Sequence, residues 1–136
     1  MRWLLPLLTF LGCAHAPPPA VRAEAPVGTV ADLAGTYTAD NEVDWGYFLT
    51  IDKAGAFDLV VDRGKMGRCE QRGTLAAGAD ARTFSTVFQR NECDRAHLGA
   101  KLSVHVDSFT GDQLVLAITG DGVEEHRRFT RKAAAK

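Results

Sequence analysis

The chain has 136 residues, of which 46% are hydrophobic, and 16 basic side chains face 17 acidic ones for a formal net charge of −1. This size and composition suit one small globular domain with a single core. The balanced charge excludes the broad basic surface that usually meets nucleic-acid phosphates, so we expect no nucleic-acid partner.

The N-terminal segment has the composition of an export signal. Arg2 is a minimal positive region, and the apolar run at residues 3–11 follows it. A transmembrane helix needs about 20 apolar residues, so this run is too short to span a bilayer and matches the apolar region of a cleaved signal. Residues 1–12 are therefore predicted to be a signal peptide.

The end of this segment, Phe10-Leu11-Gly12-Cys13, resembles the lipobox of bacterial lipoproteins, in which a small residue precedes the cysteine that becomes the acylated N-terminus. The resemblance implies lipid attachment at Cys13 and a protein held in the cell envelope by its acyl chains. Ala14 follows the cysteine instead of an aspartate. In enteric-type sorting this permits transfer to the outer membrane, with the domain facing the periplasm.

The alternative is ordinary secretory cleavage after the triplet Ala14-His15-Ala16, which would release a soluble secreted or periplasmic protein. Pro17 would then directly follow the scissile bond. Proline has no N–H and constrains the residue before it, so it fits poorly in a protease cleft that binds extended peptide. Lipidation is therefore preferred.

The cysteine count supports export independently of the signal. Three cysteines are an odd number, and committing Cys13 to lipid leaves Cys69 and Cys93 to form a disulfide. The bond would close a loop of about 25 residues, for which chain entropy predicts a stabilisation of roughly 3.5 kcal/mol. Two separately buried thiols are the alternative.

The segment at residues 13–30 is rich in proline and alanine and has almost no large apolar side chain. It is predicted to be a disordered tether that holds the domain on the order of 20 to 50 Å from the bilayer. The domain itself is predicted at residues 31–132, and residues 133–136 are expected to form a disordered tail.

From Leu33 onward, short apolar alternations are separated by glycine and aspartate, which is typical of strands joined by tight turns. The predicted strands are residues 35–39, 46–53, 57–61, 68–75, 82–90, 101–107, 114–118 and 123–131. Closing a sheet of eight sequential antiparallel strands removes its exposed edges. We therefore predict an all-β fold, a small up-and-down barrel or strongly curved meander.

The stretch Leu33-Ala34-Gly35-Thr36-Tyr37 resembles the first strand of small lipocalin-like barrels in bacterial lipoproteins, with Tyr37 where a lipocalin has tryptophan. The resemblance implies a barrel interior that can hold one small ligand. The inward positions, however, carry mostly bulky side chains, and a domain of roughly 100 residues can spare little core for a pocket. The residues therefore favour a filled interior.

No motif predicts catalysis, a cofactor or a metal site. The acidic positions Asp40, Glu42 and Asp44 lack the glycine and the later glutamate of a calcium loop. No serine has a nucleophile-elbow setting. The histidines are expected at the surface: His97 in a loop, His105 on the outer face of a strand, and His126 among mixed charges. We expect no enzymatic activity.

Two functions remain open. The first is a non-enzymatic structural or interaction module that contacts another envelope protein, with Trp45 and Phe48 as the candidate contact surface because aromatic residues occur on both faces of one strand. The second is a lipocalin-like carrier of a small apolar ligand. An apolar cavity of about 300 Å³ or more would favour the carrier, and a packed interior would favour the module.

Overall fold

Eight antiparallel strands follow one another in sequence order and close into a barrel. The structure, a computed structural model, describes residues 16–40, 45–93 and 101–134. The strands are β1 (Gly35–Asp40), β2 (Gly46–Ile51), β3 (Ala56–Asp62), β4 (Arg68–Ala77), β5 (Thr83–Asn91), β6 (Lys101–Phe109), β7 (Gln113–Gly120) and β8 (Val123–Arg131). β1 pairs with β8 as well as with β2, which closes the sheet. The predicted all-β barrel is confirmed.

The alternation seen in the sequence places one set of side chains inside the barrel. In β2, Tyr47, Leu49 and Ile51 are buried, whereas Phe48 and Thr50 are exposed. Successive side chains of a strand point to opposite faces, so a period of two in hydrophobicity separates the interior from the solvent. The same alternation continues around the barrel and builds a single core.

Tight turns join the strands where the sequence has glycine and aspartate. The β7–β8 hairpin turns on Asp121 and Gly122, with φ angles of 51° and 77°. Two successive residues with positive φ are typical of the two-residue hairpin turn that matches strand twist, and aspartate followed by glycine is a favoured pair there. The tight turn predicted between the last two strands is therefore present.

Bulges curve the longer strands. The pairing register shifts opposite Arg72 and Gly73, where Gln89 of β5 is the extra residue, and between Val106 and Ser108, where Asp107 of β6 is the extra residue. A bulge bends its strand and increases the local twist, which helps a sheet to close. A Cβ atom at Gly73 would lie 2.8 Å from the Phe57 ring, so glycine is required for this close approach.

One end of the barrel, here called the closed end, is covered by a short 3₁₀ helix, Val30–Leu33. The helix is held at its start because the carboxylate of Asp32 accepts backbone N–H bonds from Gly28 and Thr29, each of 2.8 Å. These bonds to the charged carboxylate lower the pKa of Asp32, that from Thr29 most. Leu33 is only 1% exposed and forms the floor of the barrel.

The closed end is also clamped from inside by Arg131. Its guanidinium donates to the carbonyl oxygen of Ala34 at 3.2 Å and to the Tyr37 hydroxyl at 2.8 Å. The Tyr37 hydroxyl in turn donates to the Leu33 carbonyl oxygen at 2.7 Å. The guanidinium also lies 5.2 Å from the centre of the Tyr37 ring and 5.7 Å from that of Phe109. The last strand is thus tied to the floor helix.

The prediction that residues 13–30 form a tether without core contacts is wrong at its C-terminal end. Val27 is buried in the core, and Ala25 and Val30 pack against it. The Ala25 N–H donates to the Phe109 carbonyl oxygen at 2.6 Å, and Glu24 pairs with Arg82 at 3.2 Å. The error arose because a segment with few apolar residues can still pack when a barrel end offers it an apolar surface.

The opposite end carries the β3–β4 and β7–β8 connections and the disulfide. Cys69 and Cys93 are bonded, as predicted, with 5.1 Å between their Cα atoms. The bond links the start of β4 to the residues just after β5. No helix within residues 16–40, 45–93 and 101–134 has the length and apolar character needed to cross a membrane.

Candidate functional site

The barrel contains an internal cavity of about 340 Å³. It extends from Leu33 on the floor to Asp121 and Val123 beside the β7–β8 turn, where Val123 is 67% exposed. Strands β2 to β8 contribute to its wall, and most of the lining side chains are apolar. The cavity therefore runs from the closed end towards the surface at the other end.

The expectation of a filled interior is wrong, although its inward residues are correctly placed. Tyr37, Val106 and Leu114 have no exposed surface, belong to the core and do not line the cavity. Phe57 and Leu59, by contrast, border the cavity. Alternation along a strand predicts which side chains point inward, but it does not predict whether side chains from opposite walls reach one another.

One polar side chain lies deep in the apolar wall. Thr86 is 3% exposed and lines the cavity, and its hydroxyl has no hydrogen-bond partner among the described residues. Its cross-strand neighbours are Leu75 on β4 and Leu102 on β6, which also line the cavity. A buried hydroxyl without a partner costs about 1 to 3 kcal/mol of stability. The hydroxyl of Thr86 is therefore a local source of destabilisation in the wall.

A hydrogen-bonded pair of polar side chains lies further along the wall, towards the disulfide end. The amide nitrogen of Gln71 donates to the side-chain oxygen of Asn91 at 3.0 Å, across paired positions of β4 and β5. Asn91 is 4% exposed. This hydrogen bond joins the two amides to each other, which distinguishes them from the hydroxyl of Thr86.

The charged residues of the described lining are acidic. Asp121 and Glu125 lie on the cavity wall beside the β7–β8 turn. Arg127 forms an ion pair with Glu125, and its guanidinium stacks 3.7 Å from the centre of the Tyr47 ring. That cation is therefore already engaged by a carboxylate and an aromatic face. No basic side chain belongs to the described lining.

The two residues predicted as a contact surface are in different environments. Phe48 is 42% exposed on the outer face of β2, between Thr38 and Val60 on the neighbouring strands. Trp45 is partly buried and packs against the core. The aromatic surface is therefore reduced to Phe48, and isolated exposed hydrophobic residues are common on soluble proteins.

The remaining candidates lie on the outer face or outside the described residues. His105 is on the outer face, with its Nδ1 atom 2.8 Å from the Thr83 hydroxyl. Cys13, Glu42, Asp44 and His97 lie outside the described residues, as does the side chain of Asp40. Within the part of the chain that the structure describes, no group of three histidine, cysteine or acidic side chains could hold a metal ion.

His126 lies in an acidic environment on the outer face, as its mixed-charge sequence predicts. Its two ring nitrogens contact the carboxylates of Asp107 at 2.8 Å and Glu124 at 2.7 Å. Hydrogen bonding to Asp107 and then to Glu124 raises the pKa of His126 above its usual value. The ring is exposed and does not line the described cavity, so its raised pKa reflects the electrostatics of the outer face.

Comparison with known proteins adds no assignment to this geometry: the chain matches no protein-family model, no curated protein and no solved structure. Sequence reasoning gave a ligand cavity only as the alternative implied by the lipocalin resemblance, and it did not identify Gln71 and Asn91 as wall residues. For Thr86 the sequence does contain an indication, because this residue is the polar member of an inward series with Phe84 and Phe88. A polar residue in phase with buried aromatic residues identifies a wall position that needs a hydrogen-bond partner.

Proposed function

We propose that this protein is a lipid-anchored envelope protein whose barrel carries one small, largely apolar molecule. The observation that supports the proposal is the cavity of about 340 Å³ with a mostly apolar wall. Ligand sites are typically concave and apolar with a few placed polar groups, and their volumes begin near 300 Å³. The cavity therefore supports the carrier over the interaction module, since of the two residues predicted for a contact surface Phe48 is exposed and Trp45 is partly buried.

The volume limits the size of the ligand. At about 30 Å³ for each water-sized group, the cavity has space for about ten non-hydrogen atoms. This excludes a complete two-chain phospholipid from the interior and favours a compact molecule. Such a ligand would replace empty space next to Leu116, Ile118 and Phe88 with dispersion contacts.

The binding test uses ethylbenzene as a small neutral probe and the full chain with Cys13→Ala, which keeps attached acyl chains out of the assay. We expect backbone amide shifts in NMR spectra at strands that line the cavity. Ile118→Trp should abolish binding because the indole fills the cavity, whereas Thr119→Trp should retain it because Thr119 is exposed on the outer face. Folding of both variants is checked by circular dichroism. Equal binding by the two variants, or none by the parent, would overturn the proposal.

Anchoring at Cys13 is a separate part of the proposal. It is supported by the lipobox resemblance and by the disulfide, since such bonds persist in oxidising compartments outside the cytosol. Outer-membrane attachment with the domain in the periplasm follows from Ala14. The packed residues from Ala25 onward shorten the free part of the tether, so the barrel would lie closer to the bilayer than the full linker allows.

Metabolic labelling with a fatty-acid analogue tests the anchor. The native chain should incorporate the label, and Cys13→Ala should not. An unlabelled native protein that begins at Pro17 would instead establish secretory cleavage and a soluble product, leaving the ligand proposal unaffected.

A further inference from the structure

We infer that the ligand is uncharged and carries a single hydrogen-bonding head group, such as an amide, alcohol or ester, which binds the hydroxyl of Thr86. The inference rests on the proposed function and specifies the chemical class of the ligand. It follows from two features of the wall: one buried hydroxyl without a partner, and the absence of a basic residue among the described lining side chains.

Thr86 is the polar group in the wall that requires a partner from the ligand. It is 3% exposed, and the strands on either side place Leu75 and Leu102 opposite it. As placed, the hydroxyl oxygen is covered by neighbouring atoms, so pairing with a head group requires the side chain to rotate about χ1 towards the cavity. A threonine hydroxyl both donates and accepts, so it can pair with a carbonyl oxygen, a hydroxyl or an amide. Gln71 and Asn91 already bond to each other and compete less for the head group.

Among the described residues, the charges of the lining disfavour an anionic head. A carboxylate buried among leucine side chains would lose its hydration without gaining a cationic partner, which is strongly unfavourable. Asp121 and Glu125 would repel it at the exposed end of the cavity. Arg127 does not compensate, because it is paired with Glu125 and stacked on Tyr47.

Three matched probes test this assignment by calorimetry at pH 7, with the full chain carrying Cys13→Ala. Phenylacetamide and phenylacetate have the same shape and differ in charge, and ethylbenzene lacks a head group. We expect phenylacetamide to bind at least about a hundredfold more tightly than phenylacetate, because only the uncharged compound avoids burying an unpaired charge. Ethylbenzene serves as the reference for the apolar contribution alone, because it has no amide to desolvate.

The variant Thr86→Val identifies the residue responsible. Valine has the shape of threonine without the hydroxyl, so the fold should be retained, and the melting temperature should stay the same or rise. Phenylacetamide should lose about fivefold in affinity for this variant, while ethylbenzene binding should not weaken. Thr50→Val, at an exposed position of β2, is the control and should change neither affinity.

The outcomes separate the two proposals. If ethylbenzene binds but phenylacetate binds as well as phenylacetamide, or if Thr86→Val leaves phenylacetamide binding intact, the head-group assignment fails while the carrier remains. If none of the probes binds to the parent chain, the proposed function fails and the assignment fails with it.

Discussion

The closed end and the cavity of this barrel are built from the same apolar residue types but pack them differently. At the closed end, Tyr37 and Leu114 are completely buried and the Arg131 clamp ties the last strand to the floor helix. In the hollow part, Leu116 and Phe88 border empty space. The difference indicates that stability is concentrated at one end, whereas the rest of the interior is available for binding.

Leu114 and Leu116 provide the largest expected effect and a direct test of this difference. They are the same residue type, two positions apart on β7, and both point inward. Leu114→Ala should cost about 4 kcal/mol of unfolding free energy because it opens a void in packed surroundings. Leu116→Ala should cost about 2 kcal/mol because its side chain already lacks neighbours on the cavity side. Urea denaturation measures both; equal losses would show that the cavity is not a distinct region.

The clamp should have the next largest effect. Arg131→Met retains a long side chain but removes the bonds to Ala34 and Tyr37, and should cost about 2 kcal/mol. Arg128→Met is the control on the outer face of the same strand and should stay within about 0.5 kcal/mol. If the two variants were equally stable in thermal unfolding, the clamp would have no role in closing the barrel.

Phe48 should matter less, because it lies on the outer face of β2. Phe48→Ser should change the unfolding free energy by no more than about 1 kcal/mol. Leu49→Ser, one position along and 5% exposed, should be far more damaging because it buries a hydroxyl in the core. A large loss for Phe48→Ser would place its ring in a structural contact and remove it as a contact surface.

The smallest effect is expected at His126, whose side chain is exposed on the outer face. Its pKa is raised in the folded protein, so its stabilising contribution is complete below the usual histidine pKa and is lost as pH rises through the folded-state value. NMR titration of the ring should show the raised pKa. Asp107→Asn should lower it more than Glu124→Gln does. An unchanged pKa in Asp107→Asn would contradict the assigned cause.

Much of the fold was predictable because its determinants are local. The alternation of Tyr47, Leu49 and Ile51 indicates a half-buried strand, and Asp121-Gly122 indicates a hairpin turn. The Cys69–Cys93 bond followed from counting cysteines. The packing of Val27 was not predictable, because the apolar surface it covers comes from strands distant in sequence.

The candidate site was harder to predict than the fold. Thr86 could be assigned to the inward face from its phase with Phe84 and Phe88, but not to a cavity wall. Whether a wall residue meets another side chain depends on the barrel radius and on the heights at which residues from opposite strands lie. Both depend on bulges and on strand register, which adjacent residues do not encode.

By itself, the sequence determined the number of strands, their inward and outward faces and the disulfide, since each depends on local spacing or on composition. It also predicts an N-terminal lipid anchor. Only the tertiary structure decided that the interior is hollow and that the chain before β1 closes one end. These features arise when eight strands curve around a common axis, because closure sets the distance between opposite walls and side chains of fixed length then either meet or leave space.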